Sequence, residues 1–571
     1  PTENDAIVEE SVFLAESWQT RAEELLTSEE RTIQDQMKRL LNHPTDKVVL
    51  TQLIDQSFRS ENPQRVADQV NTLLREHGVP EFFSRVDRLL VQMFLGLGRY
   101  LPSVSVPKMI GKMRQNSSRA IIPGEPDALT EHLNRRKAQG VRMNINHLGE
   151  AILGEDEARR RLDTYIEDLK NPDIEVISVK MSTIYSQINP LAFEHTLGVL
   201  TERLAEIYRA ARGRHFVRSD GTPAPKIVNL DMEEYRDLDL TLEAFQRTLG
   251  QDEFLDYPGG IVLQAYLPDS YDRQVALTEW ARQRVASGGS PIKLRIVKGA
   301  NMEMELVESA ISNWPLAAYD NKLDVDANYK RMVRFGMDPD NIRAVHLGIG
   351  SHNLFELAYA CALGRHLGVT DFFYFEMLEG MADHVRRALA ETAGDVLLYA
   401  PVASREEFIH AIAYLVRRLD ENTAEENFLR YAPGLRVGTP TWEFLKEQFL
   451  ASCAGMETAP TTPRRTQDRA AETFPEVMGT FHEGEFNNEP DTDWSLKANH
   501  RWAEAVREKW KKSPGAPPME VPLVVGGEEV YENRELQESW DKSRHAEHVL
   551  VARFALGNEE DVERAVATAK A

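Results

Sequence analysis

The fold of this chain is decided between residues 141 and 402, where short β-rich runs alternate with helical stretches. Strands that alternate with helices predict parallel pairing with right-handed crossovers. Eight such units in about 300 residues have the count and size of a (β/α)8 barrel, and an open doubly wound sheet is the competing architecture. The eight runs are VRMNIN (141–146), EVISVKM (175–181), KIVNLDM (226–232), IVLQAY (261–266), IKLRIVKG (292–299), IRAVHLGIG (342–350), DFFYFEML (371–378) and VLLYAPV (396–402).

The regions on either side of these runs have a different texture. The first ~135 residues show apolar residues at helical spacing, and NPQRVADQVNTLLREHG (62–78) carries an N-cap, a proline at the first helical position and a closing glycine. After about residue 455 a stretch rich in Thr, Pro and charge predicts a linker, and VPLVVGGEEV (521–530) predicts a hairpin. We therefore expect a helical arm and α-domain at 1–138, the barrel at 139–450, a linker at 451–490 and the start of a further domain at 491–571.

Composition excludes several classes of protein. The 571 residues include 67 Lys and Arg against 91 Asp and Glu, and the resulting net charge of −24 argues against a nucleic-acid surface. Two cysteines, Cys361 and Cys453, are too few for a disulfide framework and suit a reducing compartment. No apolar run approaches the ~20 residues that span a bilayer. The acidic beginning PTENDAIVEE is not a signal peptide, so we expect a cytoplasmic, multidomain protein.

Polar residues gather where the predicted strands end, which is where a (β/α)8 barrel carries its active site. A barrel interior is normally filled by Val, Ile and Leu, and this number of polar groups therefore needs an explanation. They could simply satisfy one another, but unpaired buried charges are costly, and the set as a whole favours a functional site. Its members are Asn146 to Glu150, Lys180, Asp231, Glu233, Gln264, Tyr266, Arg295, Lys298, Ser351, His352, Asn353, Glu376 and Tyr399.

The cations of this set suit an anionic ligand. Lys180, Arg295 and Lys298 would meet at one mouth with Arg417 and Arg418, although the two adjacent arginines could also lie on a solvated helix face. No His, Asp or Glu set has convincing metal-ligand spacing, so no metal is predicted. For His352 a metal ligand and a hydrogen-bonding role to a cofactor stay open.

Three of these stretches closely resemble the proline dehydrogenase family: VISVKMSTIYSQINP (176–190), LRIVKGANMEME (294–305) and AYLVRRLDEN (413–422). FNNEPDTDWSL (486–496) and the helical beginning resemble its longer bifunctional members, called proline utilization A. The resemblance implies a distorted (β/α)8 barrel that binds FAD non-covalently at its carboxyl face. It also implies oxidation of L-proline to Δ1-pyrroline-5-carboxylate, by hydride transfer from proline C5 to flavin N5, with the electrons passed to a membrane quinone.

The resemblance also implies roles for individual residues. Lys180, Arg417 and Arg418 would clamp the proline carboxylate, Asp231 would hold Lys180 charged and oriented, and Glu150 would be a gate partner of Arg418. Tyr399, Tyr414 and Leu378 would form walls around the ring. The residues expected to contact FAD are Asp231, Gln264, Arg295, Val297, Lys298, Gly299, Ala300, Lys322, Ser351, His352, Asn353, Glu376, Leu378, Arg418, Glu421 and Phe428.

Departures from the family pattern refine these expectations. Some members carry a tyrosine near the flavin where this chain has Asn301. Nothing here resembles the ribbon-helix-helix DNA-binding domain of some members, so no repressor role and no nucleic-acid partner are expected. A NAD-dependent glutamate semialdehyde dehydrogenase would begin near residue 490, and only its opening is expected here, because no cysteine follows Cys453. Peripheral association with the inner face of the plasma membrane is a further implication, and a homo-oligomer is left open.

Two other functions compete with the flavoenzyme hypothesis. A barrel lyase or aldolase would use Lys180 as a Schiff base and would need no flavin. A non-catalytic scaffold would use the helical arm for assembly, but it leaves the polar strand ends without a purpose.

Overall fold

A computed structural model of the chain describes residues 3–57, 60, 62–96, 100–149, 152–394, 396–405, 407–473 and 488–570. The chain divides into two compact units, Pro1–Thr466 with Thr480–Ser495, and Gln467–Gly479 with Leu496–Ala571. The domain boundaries at 138, 450 and 490 stay predictions.

The N-terminal part of the first unit is helical. Asn62 caps α4, its side-chain oxygen accepting hydrogen bonds from the backbone N–H groups of Gln64 at 2.9 Å and Arg65 at 3.3 Å, as the sequence predicts. Helix α1 packs on the barrel through Trp18, which is 2% exposed and donates a hydrogen bond to Thr392 at 2.6 Å. The helices are α1 (Glu3–Leu25), α2 (Ser28–Asn42), α3 (Pro44–Ser57), α4 (Pro63–His77), α5 (Arg85–Gly96), α6 (Pro102–Ser117) and α7 (Pro126–Ala138).

Eight parallel strands form a closed barrel, because the last of them, β11, pairs with the first, β2. This closure confirms the (β/α)8 prediction and excludes the open sheet. Outside the barrel, β1 (Ile122–Pro123) extends the sheet beside β11, and β4 (His215–Val217) and β5 (Pro223–Pro225) form a hairpin. The barrel strands are β2 (Arg142–His147), β3 (Val176–Val179), β6 (Ile227–Leu230), β7 (Gly260–Gln264), β8 (Ile292–Val297), β9 (Val345–Gly350), β10 (Phe373–Leu378) and β11 (Val396–Ala403).

Helices between and after the strands bury the outer face of the barrel in one large apolar core. They are α8 (Glu155–Lys170), α9 (Met181–Ile184), α10 (Phe193–Ala211), α11 (Leu238–Leu249), α12 (Ser270–Ala286), α13 (Met302–Ser312), α14 (Lys322–Met337), α15 (Pro339–Ile342), α16 (Leu354–Leu367), α17 (Asp383–Ala393), α18 (Phe408–Glu421), α19 (Phe428–Tyr431) and α20 (Pro440–Ala454).

The second unit is a small α/β structure. The predicted hairpin is confirmed: β13 and β14 pair antiparallel across Gly526 and Gly527, whose φ angles of 63° and 84° suit a tight two-residue turn. Strand β16 pairs with β12 in parallel and with β15 antiparallel. The elements are α21 (Lys497–Trp510), β12 (Met519–Val521), β13 (Leu523–Val525), β14 (Glu528–Val530), β15 (Leu536–Trp540), β16 (Leu550–Ala555) and α22 (Glu559–Lys570).

Across the described ranges of the chain, no helix combines the length and the apolar character that crossing a membrane requires.

Candidate active site

A buried ion-pair network lies at the carboxyl end of the barrel, centred on Arg295 of β8. Its guanidinium donates hydrogen bonds to Glu376 at 3.1 Å and to Asp231, and its carbon lies 5.1 Å from the ring centre of Tyr399. The Tyr399 hydroxyl donates to the other oxygen of Asp231 at 2.7 Å. Burial opposes the charge of Arg295, but the two carboxylates outweigh it and raise its pKa above the usual range. The strand ends thus meet as predicted.

Glycine on β9 makes room for this network. A Cβ atom on Gly348 would overlap the Glu376 carboxylate, so an alanine there would have to displace a buried ionised group. Burial raises the pKa of Glu376, and Arg295 and Lys293 oppose that shift.

The role of Asp231 toward Lys180 stays a prediction, and the structure gives its carboxylate other hydrogen-bond partners. Asp231 accepts hydrogen bonds from Ser178 at 2.9 Å, from Tyr399 and from Arg295, because its carboxylate is turned toward the barrel interior. Lys180 acts electrostatically on the carboxylate of Glu233, which lies two residues after Asp231. Glu233 accepts hydrogen bonds from the backbone and hydroxyl of Ser182 at 3.1 and 2.6 Å, and burial raises its pKa while Lys180 lowers it.

A second charged cluster lies beside β8. Lys298 and Lys322 were predicted from the sequence, whereas Asp326, Lys330 and Glu356 were not. Lys298 pairs with Asp326 and with Glu356 at 3.0 Å, and Lys322 pairs with Asp326. The fully buried Lys330 donates to Glu356 at 2.8 Å. Burial works against the charge of Asp326, but the three lysines hold its pKa well below the usual range. Three lysines against two carboxylates leave one positive charge, which suits an anion. Lys322, Asp326 and Lys330 follow one another at four-residue spacing on α14, and this pattern is visible in the sequence.

The turn after β9 places three predicted residues together. His352 Nε2 accepts a hydrogen bond from the Leu378 backbone at 2.9 Å, while its buried Nδ1 has no partner among the described residues. Ser351 accepts from the Asn353 backbone at 3.0 Å, and Asn353 caps α16. Gln264, at the end of β7, likewise has a buried Oε1 without a partner in the described ranges. Both orphaned atoms could serve a bound ligand.

Helix α18 contributes the arginine pair. Arg418 pairs with Glu421 at 2.7 Å, and its guanidinium lies 4.8 Å from the ring centre of Tyr414. Burial raises the pKa of Tyr414 to about 12. Arg417 is partly exposed on the same helix. The predicted partner Glu150 lies outside the described residues.

Several of the remaining predicted residues end or follow strands of the barrel. Gly299 has φ of 134°, and a Cβ atom there would overlap the ring of Tyr266, so this position needs glycine. Asn301 precedes α13. Val297 and Leu378 end β8 and β10, Ala300 is exposed, and Phe428 begins α19 and is buried. Among the residues that the structure describes, no group of three His, Cys, Asp or Glu side chains is placed to hold a metal ion.

The fold and the charged strand ends define an enzyme of the (β/α)8-barrel class with a polar, charged mouth. The sequence model of the proline dehydrogenase family matches residues 129–431. The chain belongs to this family of oxidoreductases, which act on proline.

Individual relatives are similar over different spans. Proline dehydrogenase 2 of Bacillus subtilis (strain 168) is 26% identical over 330 residues, which are 57% of this chain and 89% of its own. Proline dehydrogenase of Deinococcus radiodurans is 29% identical over 202 residues, 35% of this chain and 55% of its own.

Solved structures of proline utilization A (PutA) share the fold. PutA from Bdellovibrio bacteriovorus, inactivated by N-propargylglycine, is 25% identical with a TM-score of 0.74, covering 98% of this chain and 54% of its own. PutA from Corynebacterium freiburgense is 34% identical with a TM-score of 0.59, covering 77% of this chain and 40% of its own. The chain therefore spans about half the length of these PutA chains or less.

The site predicts an acid-sensitive stability. Burial and the nearby Arg418 lower the pKa of His352 to about 4, whereas an unfolded histidine titrates near 6.5. Between these values the unfolded chain binds more protons, so the free energy of unfolding falls as pH drops from 6.5 to 4, by roughly 2–3 kcal/mol from this residue. Urea unfolding from pH 4 to 7.5 should show a shallower slope for His352→Gln. The exposed His195→Gln is the control, and parallel curves for His352→Gln and wild type would contradict the assignment.

Proposed function

We propose that this chain oxidises L-proline to Δ1-pyrroline-5-carboxylate with FAD held at the carboxyl end of the barrel. The observation that carries the proposal is the charged layer around Arg295 in a member of the proline dehydrogenase family. Bound FAD would supply the hydride acceptor and the route for electrons to a quinone.

The residues at the mouth fit a large, polar, anionic cofactor. Four buried polar atoms have no hydrogen-bond partner among the described residues: Gln264 Oε1, Arg295 Nε, His352 Nδ1 and Arg418 Nε. Buried polar atoms are nearly always satisfied, so four orphans at one mouth support a bound ligand. The net positive cluster of Lys298, Lys322 and Lys330 suits its phosphates.

His352 has one defined protonation state in this proposal. It is neutral near pH 7, and because its Nε2 accepts from the Leu378 backbone, the proton lies on Nδ1. His352 can therefore donate that proton in a hydrogen bond to a cofactor acceptor.

Three cations are proposed to bind the substrate: Lys180 after β3, and Arg417 and Arg418 on α18. Lys180, Arg417 and Arg418 would hold the carboxylate of proline, since two guanidinium groups and an ammonium fix both its charge and its orientation. The aromatic rings of Tyr399 and Tyr414, with Leu378, would exclude water from the pyrrolidine ring. Asp231 and Glu376 hold Arg295 in place and charged.

A membrane is the proposed partner for reoxidation. Residues 88–124 contain six Lys and Arg and no Asp or Glu, although the chain as a whole carries −24. On α5, Leu89 and Met93 are 57% and 58% exposed, and Leu101 beside α6 is 65% exposed. Exposed apolar side chains in a stretch that has no acidic residue of its own suit an anionic lipid surface that holds a quinone.

One experiment tests both parts of the proposal. The purified chain, saturated with FAD, should show a flavin spectrum that bleaches when L-proline is added without oxygen. The bleached flavin should regain its colour faster with a quinone in anionic vesicles than with the same quinone in neutral vesicles.

The outcomes separate the alternatives. Flavin that stays oxidised with proline would refute the substrate, and equal reoxidation with both vesicles would refute the membrane surface. A protein that binds no FAD, but whose Lys180 is trapped by borohydride with a carbonyl compound, would favour the Schiff-base lyase. The family match does not favour that reading.

A further inference from the structure

A buried arginine lies outside the barrel, in the stretch 451–490 that the sequence predicts to be a linker. Arg465 is 2% exposed and follows α20. It donates hydrogen bonds to the Pro315 carbonyl at 3.1 Å and to the Ser309 hydroxyl at 3.0 Å. Its guanidinium also lies 4.7 Å from the ring centre of Trp314 and 5.2 Å from that of Tyr235. This linker residue is therefore part of the packed first unit.

Residues 456–466 and 488–495, which we call the strap, bind the end of α13 and the turn after it. The Asp491 backbone N–H donates to Ser312 at 3.0 Å, and its carbonyl accepts from the Trp314 indole at 2.7 Å. Arg464 donates to the Ala318 carbonyl at 2.9 Å. These hydrogen bonds involve backbone groups of the strap or of the segment 312–318, so they fix the position of the strap along that segment.

Arg465 faces two buried carboxylates. Glu305 of α13 is 0% exposed and lies 4.0 Å away, and Asp493 of the strap is 2% exposed and lies 3.7 Å away. Burying an ionised carboxylate is costly unless a cation is close. Burial raises the pKa of Glu305, and Arg465 opposes that shift.

Glu305 connects two segments of the candidate active site. It accepts hydrogen bonds from the Tyr235 backbone at 2.7 Å and from the Tyr266 hydroxyl at 3.4 Å. Tyr235 lies two residues after Glu233, the carboxylate on which Lys180 acts electrostatically. The ring of Tyr266 packs against Gly299, and the Glu305 N–H bonds to the Asn301 carbonyl at 3.0 Å. One carboxylate thus ties together the substrate side and the cofactor side of the mouth.

We propose that Arg465 is a positioning residue for the active site: by neutralising Glu305, it keeps the segments 233–235 and 299–301 in the positions described above. The cofactor part of this inference rests on the proposed function.

Hydrogen exchange of the flavin-free protein tests the positioning role without any activity. In Arg465→Met, amide exchange should speed up on the order of tenfold in residues 233–236 and 299–306, while α8 keeps its protection. The dissociation constant for FAD should rise by a similar factor. Arg464→Met is the matched control, because Arg464 binds the Ala318 carbonyl and the exposed Asp320 but no buried carboxylate.

A double variant separates charge compensation from loss of packing. If neutralising Glu305 is the function of Arg465, Arg465→Met with Glu305→Gln should recover part of the lost protection, and Arg465→Lys should recover more. Unchanged exchange in Arg465→Met, an equal loss in Arg464→Met, or a double variant no better than Arg465→Met would each overturn the inference. If Arg465→Met loses amide protection throughout the chain, recovery of protection in the double variant and in Arg465→Lys decides whether charge compensation is the role of Arg465. A wild-type chain that binds no flavin would refute the proposed function but leave this exchange test valid.

Discussion

Replacing Lys180 by methionine is expected to lower kcat/KM for L-proline by roughly 30- to several-thousand-fold. This range corresponds to the ~2–5 kcal/mol lost when one partner of a desolvated charge pair is removed. Lys180 follows β3 directly, and the structure describes no hydrogen bond of its ammonium to another residue, so the group is available for a substrate carboxylate. Methionine keeps an unbranched side chain, one atom shorter than lysine, and removes the ammonium group. Steady-state kinetics with flavin content measured in parallel would give the value.

The fold should survive this change. Without Lys180, the buried Glu233 loses a nearby cation and its pKa rises further, which favours its neutral form over an unpaired charge. Lys170→Met is the matched control, since Lys170 ends α8 with a side chain that is 47% exposed and pairs only with the exposed Glu167. An unchanged kcat/KM in a flavin-loaded Lys180→Met enzyme would refute the carboxylate clamp.

The barrel itself could be predicted from sequence because β-rich runs of strand length alternate with helical stretches between residues 141 and 402. All eight predicted runs are strands, and their polar ends meet at one mouth. Side-chain pairing could not be predicted in the same way. Asp231 and Lys180 follow the neighbouring strands β6 and β3. Barrel closure, however, brings Arg295 and Tyr399 from more distant strands onto the carboxylate of Asp231.

The helical contributions to the site were harder to see. Lys330 lies in the middle of α14 and Glu356 in the first turn of α16, and charged residues on a helix usually indicate a solvated face. Here α14 and α16 are buried, and the charges meet each other instead of water. Arg465 was hidden for a similar reason, because a stretch rich in Thr, Pro and charge is typical of a linker. The packing that buries it depends on contacts about 150 residues away in sequence.

Arg295→Met should cost both stability and function. Arg295 is the cation between Asp231 and Glu376, and all three groups are less than 9% exposed. Removing one partner of a buried ion pair typically costs about 3–5 kcal/mol, because the remaining charge stays buried. We expect the free energy of unfolding to fall by that amount at pH 8, with flavin binding and proline oxidation lost as well. Urea unfolding and flavin absorbance measure the two effects separately.

The pH dependence gives this prediction its sharpest test. Without Arg295, the pKa of the buried Glu376 rises further in the folded state, so folding takes up a proton that the unfolded carboxyl group lacks above about pH 4.3. The destabilisation relative to wild type should therefore shrink as pH falls from 8 to 5. Arg142→Met is the matched control: Arg142 forms a buried pair with Glu175 at 2.8 Å, but at the opposite end of the barrel, where β2 begins. It should lower stability by a similar amount and leave flavin binding intact. Equal loss of flavin in both variants would mean that Arg295 serves only the stability of the barrel.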